Sequence, residues 1–126
     1  MKLRKEQMDT FSEAARKSFE DRMVAHLREV FPQRSKRLGE PRVRGKIQHG
    51  IERAGTYGIT SERDVCRYID VMFAYGWDFD TDSKLPWAGR ILNDERFLLP
   101  EAKVNRLYRA AQREGSETLE LTRGTD

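Results

Sequence analysis

Residues 59–76 of this 126-residue chain read ITSERDVCRYIDVMFAYG, and they carry its clearest structural signal. Thr60 or Ser61 can cap a helix N-terminus, and Ser61 with Asp64 resembles a capping box in which Asp replaces the usual Glu. The apolar residues that follow recur at helical spacing: Val65, Ile69, Met72 and Phe73. The pattern therefore predicts a helix from about residue 62 to Tyr75, ended by Gly76.

Upstream of this segment, the sequence predicts one long amphipathic helix from Leu3 to Phe31, ended by Pro32. Its apolar stripe repeats every three or four residues: Met8, Phe11, Ala15, Phe19, Met23, Leu27 and Val30. A helix of about 27 residues would be roughly 40 Å long, which is more than a domain of this size needs. We therefore expect part of it to project or to dock against another chain.

The other segments complete an all-α fold. A basic connector over 33–40 precedes a helix from Pro41 to about Gly58, in which Gly45, Gly50 and Gly55 weaken the helix or allow a close approach. An acidic loop (77–85), a short helix (86–92) and a helix from 100 to 114, stopped by Gly115, follow. We predict a compact bundle of four to five helices with a long N-terminal helix. Residues 1–115 would form its single domain, and 116–126 a flexible tail.

The composition and the distribution of charge indicate which kind of partner the chain can bind. Hydrophobic residues make up 37% and charged residues 36% of the chain, enough apolar surface for a small core. The charge is bipolar, because residues 1–50 hold 13 basic and 7 acidic side chains whereas 51–126 hold 11 and 14. Such a chain is a poor general polyanion binder, which favours a protein partner. With no secretory signal and no apolar run near 20 residues, we expect a cytoplasmic protein.

Catalytic and metal motifs are weak. A single cysteine, Cys66, excludes an internal disulfide and a multi-cysteine zinc site, and a Cys–His pair would need a spatial contact that the sequence does not show. Alternate aspartates at 78, 80 and 82 imitate a calcium loop, but Ser83 and Gly89 stand where Gly and Glu are needed. No phosphate-binding loop, dinucleotide fingerprint or hydrolase motif is present. We expect no enzyme activity, no cofactor and no metal.

Two candidate contact regions remain. The stretch from Arg34 to Lys46 holds six basic residues against Glu40 and could serve a small DNA-binding regulator. The preferred region combines aromatic and charged residues as a protein contact surface: Tyr57, Arg63, Arg67, Asp70, Trp77, Phe79, Asp80 and Trp87. The alternative, at least equally favoured, is that Trp77, Phe79 and Trp87 simply cap the core.

A family resemblance agrees with a binding role. Two runs carry it, GIERAGTYGITSERDV (50–65) and FEDRMV (19–24). The flanking pairs Tyr68-Ile69, Met72-Phe73, His26-Leu27 and Phe31-Pro32 also belong to it. Over residues 3–112, the chain resembles small helical accessory proteins of bacterial type VI secretion effector clusters. The resemblance implies an adaptor or co-chaperone that holds a secreted effector or contacts its loading machinery, or else an immunity protein that blocks a toxin. It implies no site residues.

Overall fold

Six α-helices account for most of residues 12–118, the part of the chain that the computed structural model describes. Their bounds are α1 Glu13–Val30, α2 Pro32–Leu38, α3 Glu40–Thr56, α4 Glu62–Tyr75, α5 Pro86–Leu92 and α6 Pro100–Thr118. A single 3₁₀ turn, Phe79–Thr81, lies between α4 and α5, and the described residues contain no strand. The predicted all-α class is confirmed, with six described helices in place of four to five.

Helix α4 lies at the centre of the bundle, with the bounds that the sequence predicted. Ser61 Oγ accepts a hydrogen bond from the Asp64 backbone N–H at 3.2 Å, and Gly76 ends the helix at φ +130°. Its predicted apolar face is fully buried: Val65, Ile69, Met72 and Phe73. The helix packs against α1, α3 and α6. Local capping signals and a clear apolar period therefore place the central element correctly.

Helix α1 starts later than predicted. Ser12 is extended (φ −65°, ψ 171°), and its Oγ accepts a hydrogen bond from the Ala15 backbone N–H at 3.1 Å. The prediction of one unbroken helix from Leu3 is wrong at this N-cap, which leaves α1 with 18 residues. Met8 and Phe11 of the predicted stripe lie outside the described residues. The rest of the stripe faces the core: Ala15, Phe19, Met23, Leu27 and Val30.

The predicted basic connector is instead helix α2. Pro32 occupies its first turn, where the missing N–H costs nothing, and Phe31 is the only residue between α1 and α2. Ser35 is buried and donates its hydroxyl to the Leu27 carbonyl at 3.0 Å, which ties α2 back onto α1. The short basic segment has no apolar period, so its helix depends on this tertiary contact.

Gly50 permits the close packing of α3 on α4. A Cβ atom placed there would lie 2.7 Å from Cγ1 of Ile69, whereas one placed at Gly45 would meet nothing within 4 Å. Of the two readings that the sequence allowed for Gly50, the structure therefore supports close approach. The helix itself begins at Glu40, one residue before the predicted start at Pro41.

Helix α6 continues past its predicted stop. It runs to Thr118, so Gly115 lies inside the helix rather than after it, and that glycine is buried. A single glycine costs a helix about 1 kcal/mol relative to alanine and need not end it. Most of the predicted tail, residues 119–126, lies outside the described residues. Within 12–118, no helix combines the length and the apolar character needed to cross a membrane.

Candidate functional site

The predicted acidic loop is fixed to α3 through Asp80. This residue is 3% exposed, and its Oδ2 accepts hydrogen bonds from Nε of Arg53 at 3.1 Å and from the Tyr57 hydroxyl at 2.7 Å. Burial acts to raise the pKa of Asp80, but the Arg53 and Tyr57 hydrogen bonds outweigh it and lower that pKa. Asp80 is therefore a buried ionised anchor, which places the loop against the end of α3.

The aromatic residues of the predicted contact surface pack on the core. Phe79 is 1% exposed, with its ring 5.1 Å from that of Tyr68. Trp77 and Trp87 are half-buried, and each makes an edge-to-face contact, Trp77 with Phe73 at 4.9 Å and Trp87 with Tyr75 at 5.2 Å. These positions agree with the alternative in which the three aromatic residues cap the core.

The charged members of that predicted surface are divided between interior and surface. Asp70 is buried, and Arg67 is half-buried and hydrogen-bonded to Asn105 of α6, so both connect helices. Arg63 is exposed on α4. Three of the eight predicted residues, Asp70, Phe79 and Asp80, thus lie inside the folded chain, where they would support a surface from beneath.

The three aspartates of the calcium-like pattern are engaged separately. Asp80 is bound by Arg53 and Tyr57, Asp82 accepts the Lys84 backbone N–H at 2.9 Å, and Asp78 Oδ1 lies 3.6 Å from Nε2 of His49. Among residues 12–115 these carboxylates do not converge on one point.

Arg44 and Lys46 of the basic stretch 34–46 interact with other side chains of the fold. Arg44 lies 2.6 Å from Asp21, 3.0 Å from Glu40 and 3.5 Å from Glu20. Lys46 Nζ lies 4.7 Å from the centre of the Trp77 ring. Three bases of the stretch remain exposed: Lys36, Arg37 and Arg42. The charge available to a phosphate backbone is therefore smaller than the sequence indicates.

A surface that the sequence analysis missed lies between α5 and α6. A cleft of about 440 Å³ is lined by Arg90, Ile91, Asp94, Arg96, Phe97 and Arg106. Leu98 and Leu99, the next residues along the chain, are 88% and 63% exposed. We call these eight residues the Arg–Leu patch. The dipeptide before Pro100 was its only sequence signal, since residues 93–99 show no helical period.

The charges of the Arg–Leu patch are unbalanced. Asp94 forms an ion pair with Arg96 at 2.8 Å, and hydrogen bonds from Arg96 hold the pKa of Asp94 at about 2. Within the described residues, the side chains of Arg90 and Arg106 form no ion pair within 4 Å and no hydrogen bond, although the charge of Arg106 also helps to lower the pKa of Asp94. The patch therefore offers two guanidinium groups without a close ion-pair partner, followed along the chain by two exposed leucines. This combination suits an acidic partner with apolar side chains.

A second group, absent from the sequence prediction, joins α1 to α4. His26 Nε2 lies 2.8 Å from Oδ1 of buried Asp70, and Cys66 lies one turn before Asp70 on α4. One donor atom from each of these three residues falls within 4.8 Å of the others. The hydrogen bond to Asp70, followed by that to Cys66, raises the pKa of His26 to about 10. His26 is therefore an imidazolium at neutral pH, paired with the Asp70 carboxylate.

Comparison with known proteins adds no relative. No family model matches the chain, and neither curated proteins nor solved structures gave a match.

Proposed function

We propose that this chain is a non-enzymatic accessory protein that binds another protein through the Arg–Leu patch. The observation that carries the proposal is the exposure of Leu98 and Leu99 next to a cleft whose Arg90 and Arg106 have no ion-pair partner within the described chain. Burying one leucine side chain contributes about 1.5–3 kcal/mol, so two of them supply a substantial apolar anchor. Arginine is enriched at protein interfaces, where it gives orientation as well as affinity.

The chemistry of the patch defines the partner. The two guanidinium groups without a close ion-pair partner favour carboxylates on the partner. The exposed leucines favour an apolar side chain beside those carboxylates. We propose an acidic, amphipathic segment of a secreted type VI effector, or of its loading machinery, as the occupant. The chain would then act in the cytoplasm as an adaptor or co-chaperone. An immunity protein that blocks a toxin would use the same binding chemistry and is the alternative within this class.

The DNA-binding alternative has weaker support. In the basic segment 34–46, Arg44 forms ion pairs with three carboxylates and Lys46 lies over the Trp77 ring, so neither side chain is fully available to a phosphate. A salt titration of binding to duplex DNA distinguishes a DNA-binding regulator from a protein-binding accessory protein, because phosphate contacts make the affinity for DNA fall steeply with salt concentration. We expect the chain to show neither tight binding to duplex DNA nor a steep salt dependence of the affinity. A steep salt dependence that disappears in a Lys36→Glu/Arg37→Glu/Arg42→Glu variant would favour the DNA regulator.

Co-expression with the proteins encoded by neighbouring genes tests the proposed function. We expect the chain to purify with one of them as a stable complex, and that partner to be a secreted effector or a component of its loading machinery. Monomeric behaviour with every neighbour would contradict the proposal. If the complex forms and the chain also abolishes the partner's toxicity in the producing cell, the immunity alternative is favoured over the adaptor.

A further inference from the structure

The contact between α1 and α4 contains the only cysteine and one of the two histidines of the chain. Cys66 and Asp70 are four residues apart on α4, so their side chains leave the same face of that helix. His26 faces them from α1, with its Nε2 atom 2.8 Å from Asp70 Oδ1. A sulfur, a nitrogen and an oxygen donor thus meet within 4.8 Å at the seam between two helices.

From this geometry we infer that His26, Cys66 and Asp70 bind a divalent metal ion of the zinc class. Thiolate, imidazole and carboxylate are the three protein ligand types of Zn²⁺, and three protein ligands leave a fourth tetrahedral position for water or for a ligand atom of a partner. Calcium and magnesium are poor candidates, because both prefer a shell of oxygen atoms.

A tetrahedral metal ion fits between His26 and Asp70 with little movement of the two side chains. With bonds of about 2.0–2.1 Å to nitrogen and oxygen, a tetrahedral ion holds these two ligand atoms roughly 3.3 Å apart. The present distance from His26 Nε2 to Asp70 Oδ1 is 2.8 Å, so the pair must open by roughly half an ångström. The His26 side chain is 33% exposed, which gives an ion a route in from solvent, while Asp70 is buried.

Binding exchanges protons for the metal. In the metal-free protein the imidazolium of His26 donates to the Asp70 carboxylate. Coordination needs a neutral imidazole and a thiolate, so a proton held by either ligand leaves to solvent when the metal binds, and no electron is transferred.

Other charged or titratable groups lie at this seam. Arg22 of α1 forms an ion pair with Glu62 of α4 at 3.0 Å. Burial, with a smaller contribution from the charge of Asp70, raises the pKa of Tyr108 of α6, and the guanidinium carbon of Arg67 lies 5.5 Å from the centre of the Tyr108 ring.

Titration with Co²⁺ under reducing conditions tests this inference directly. Since Cys66 is the only cysteine in the whole chain, a thiolate-to-cobalt charge-transfer band reports on this site alone. We expect that band together with the intense visible bands of tetrahedral Co²⁺, and we expect Zn²⁺ to displace both. No charge-transfer band at a saturating excess of Co²⁺, at neutral and at mildly alkaline pH, would overturn the inference.

Two variants test Cys66 and His26 as ligands, and a third serves as a control. Cys66→Ser should abolish the charge-transfer band, and His26→Gln should weaken binding by more than about tenfold. His49→Gln is the matched control, because His49 is the other histidine of the chain and lies 3.6 Å from Asp78. It should leave binding unchanged. Zn²⁺ should also raise the melting temperature of the wild type but not of His26→Gln. Equal binding in His26→Gln, or loss of binding in His49→Gln, would refute the assignment.

Discussion

The hydroxyl of Tyr57 donates a 2.7 Å hydrogen bond to Oδ2 of Asp80, 23 residues away along the chain. The same oxygen accepts from Arg53, so one carboxylate atom joins the end of α3 to the loop after α4. Both Tyr57 and Asp80 were predicted from sequence to contact a partner. In the folded chain they bind each other, and this interaction fixes the loop that leads into α5.

Removal of the Asp80 charge should destabilise the fold. Asp80→Asn weakens three hydrogen bonds to a buried charged group, two from Arg53 and one from Tyr57. We expect a loss of about 1–3 kcal/mol in the free energy of unfolding, measured by urea denaturation. Asp78→Asn is the control, because the Asp78 side chain is 78% exposed. It should change stability by less than about 0.5 kcal/mol. Equal stability of Asp80→Asn and wild type would contradict the anchoring role.

The pair formed by His26 and Asp70 predicts a pH dependence in metal-free protein. The folded-state pKa of His26 is raised from 6.5 to about 10, so its stabilising contribution is complete below about pH 6.5 and disappears as the pH rises through about 10. With a chelator present, the free energy of unfolding of the wild type should exceed that of His26→Gln by about 1–2 kcal/mol at pH 6. The difference should approach zero above pH 10. A constant difference over this range would contradict the ion pair.

Two glycines of the same helix should respond oppositely to alanine. Gly50→Ala places a methyl group 2.7 Å from Ile69 and should cost about 1–3 kcal/mol through overpacking. Gly45→Ala meets nothing within 4 Å and should add about 0.5–1 kcal/mol by improving helix propensity. Thermal denaturation of the two variants gives the comparison. A loss of stability in both, or a gain in both, would show that the packing of α3 on α4 differs from the one described.

The sequence predicted best the elements that depend on local interactions. Helix α4 was placed correctly because Ser61 and Gly76 mark its ends and its apolar residues keep a helical period. Helix α2 was missed because its position depends on the hydrogen bond from Ser35 to Leu27 and on neighbouring helices. The start of α1 at Ser12 was missed because the apolar pattern of the sequence does not change at that residue.

The candidate sites were harder to predict, since they join distant residues. His26 and Asp70 are 44 positions apart, and Arg53 and Asp80 are 27 apart, so no local pattern could show that they meet. Aromatic residues such as Phe79 were assigned to a surface because sequence alone does not separate a core residue from an interface anchor. Leu98 and Leu99 were overlooked for the opposite reason, because two leucines before a helix usually indicate burial.

The arginines of the patch should govern the rate of association. Arg90→Glu/Arg106→Glu reverses two charges that have no ion-pair partner within the described residues, and we expect the association rate with the co-purifying partner to fall by about tenfold or more. The wild-type rate should fall as salt increases, whereas the variant should lose that dependence. Stopped-flow fluorescence or surface plasmon resonance at two salt concentrations measures both. Equal rates for the two proteins would exclude an acidic partner at this cleft.

The most direct test of the central claim is the affinity of the co-purifying neighbour-encoded protein for Leu98→Ser/Leu99→Ser, measured by isothermal titration calorimetry. Both side chains are exposed, so the double variant should fold as the wild type does, with an unchanged circular dichroism spectrum and melting temperature. We predict that it binds more than about a hundredfold more weakly, which corresponds to the loss of two buried leucines. Arg63→Ala, an exposed change on α4, should bind as the wild type does. Undiminished affinity of the double leucine variant, or a larger loss in Arg63→Ala, would contradict the account.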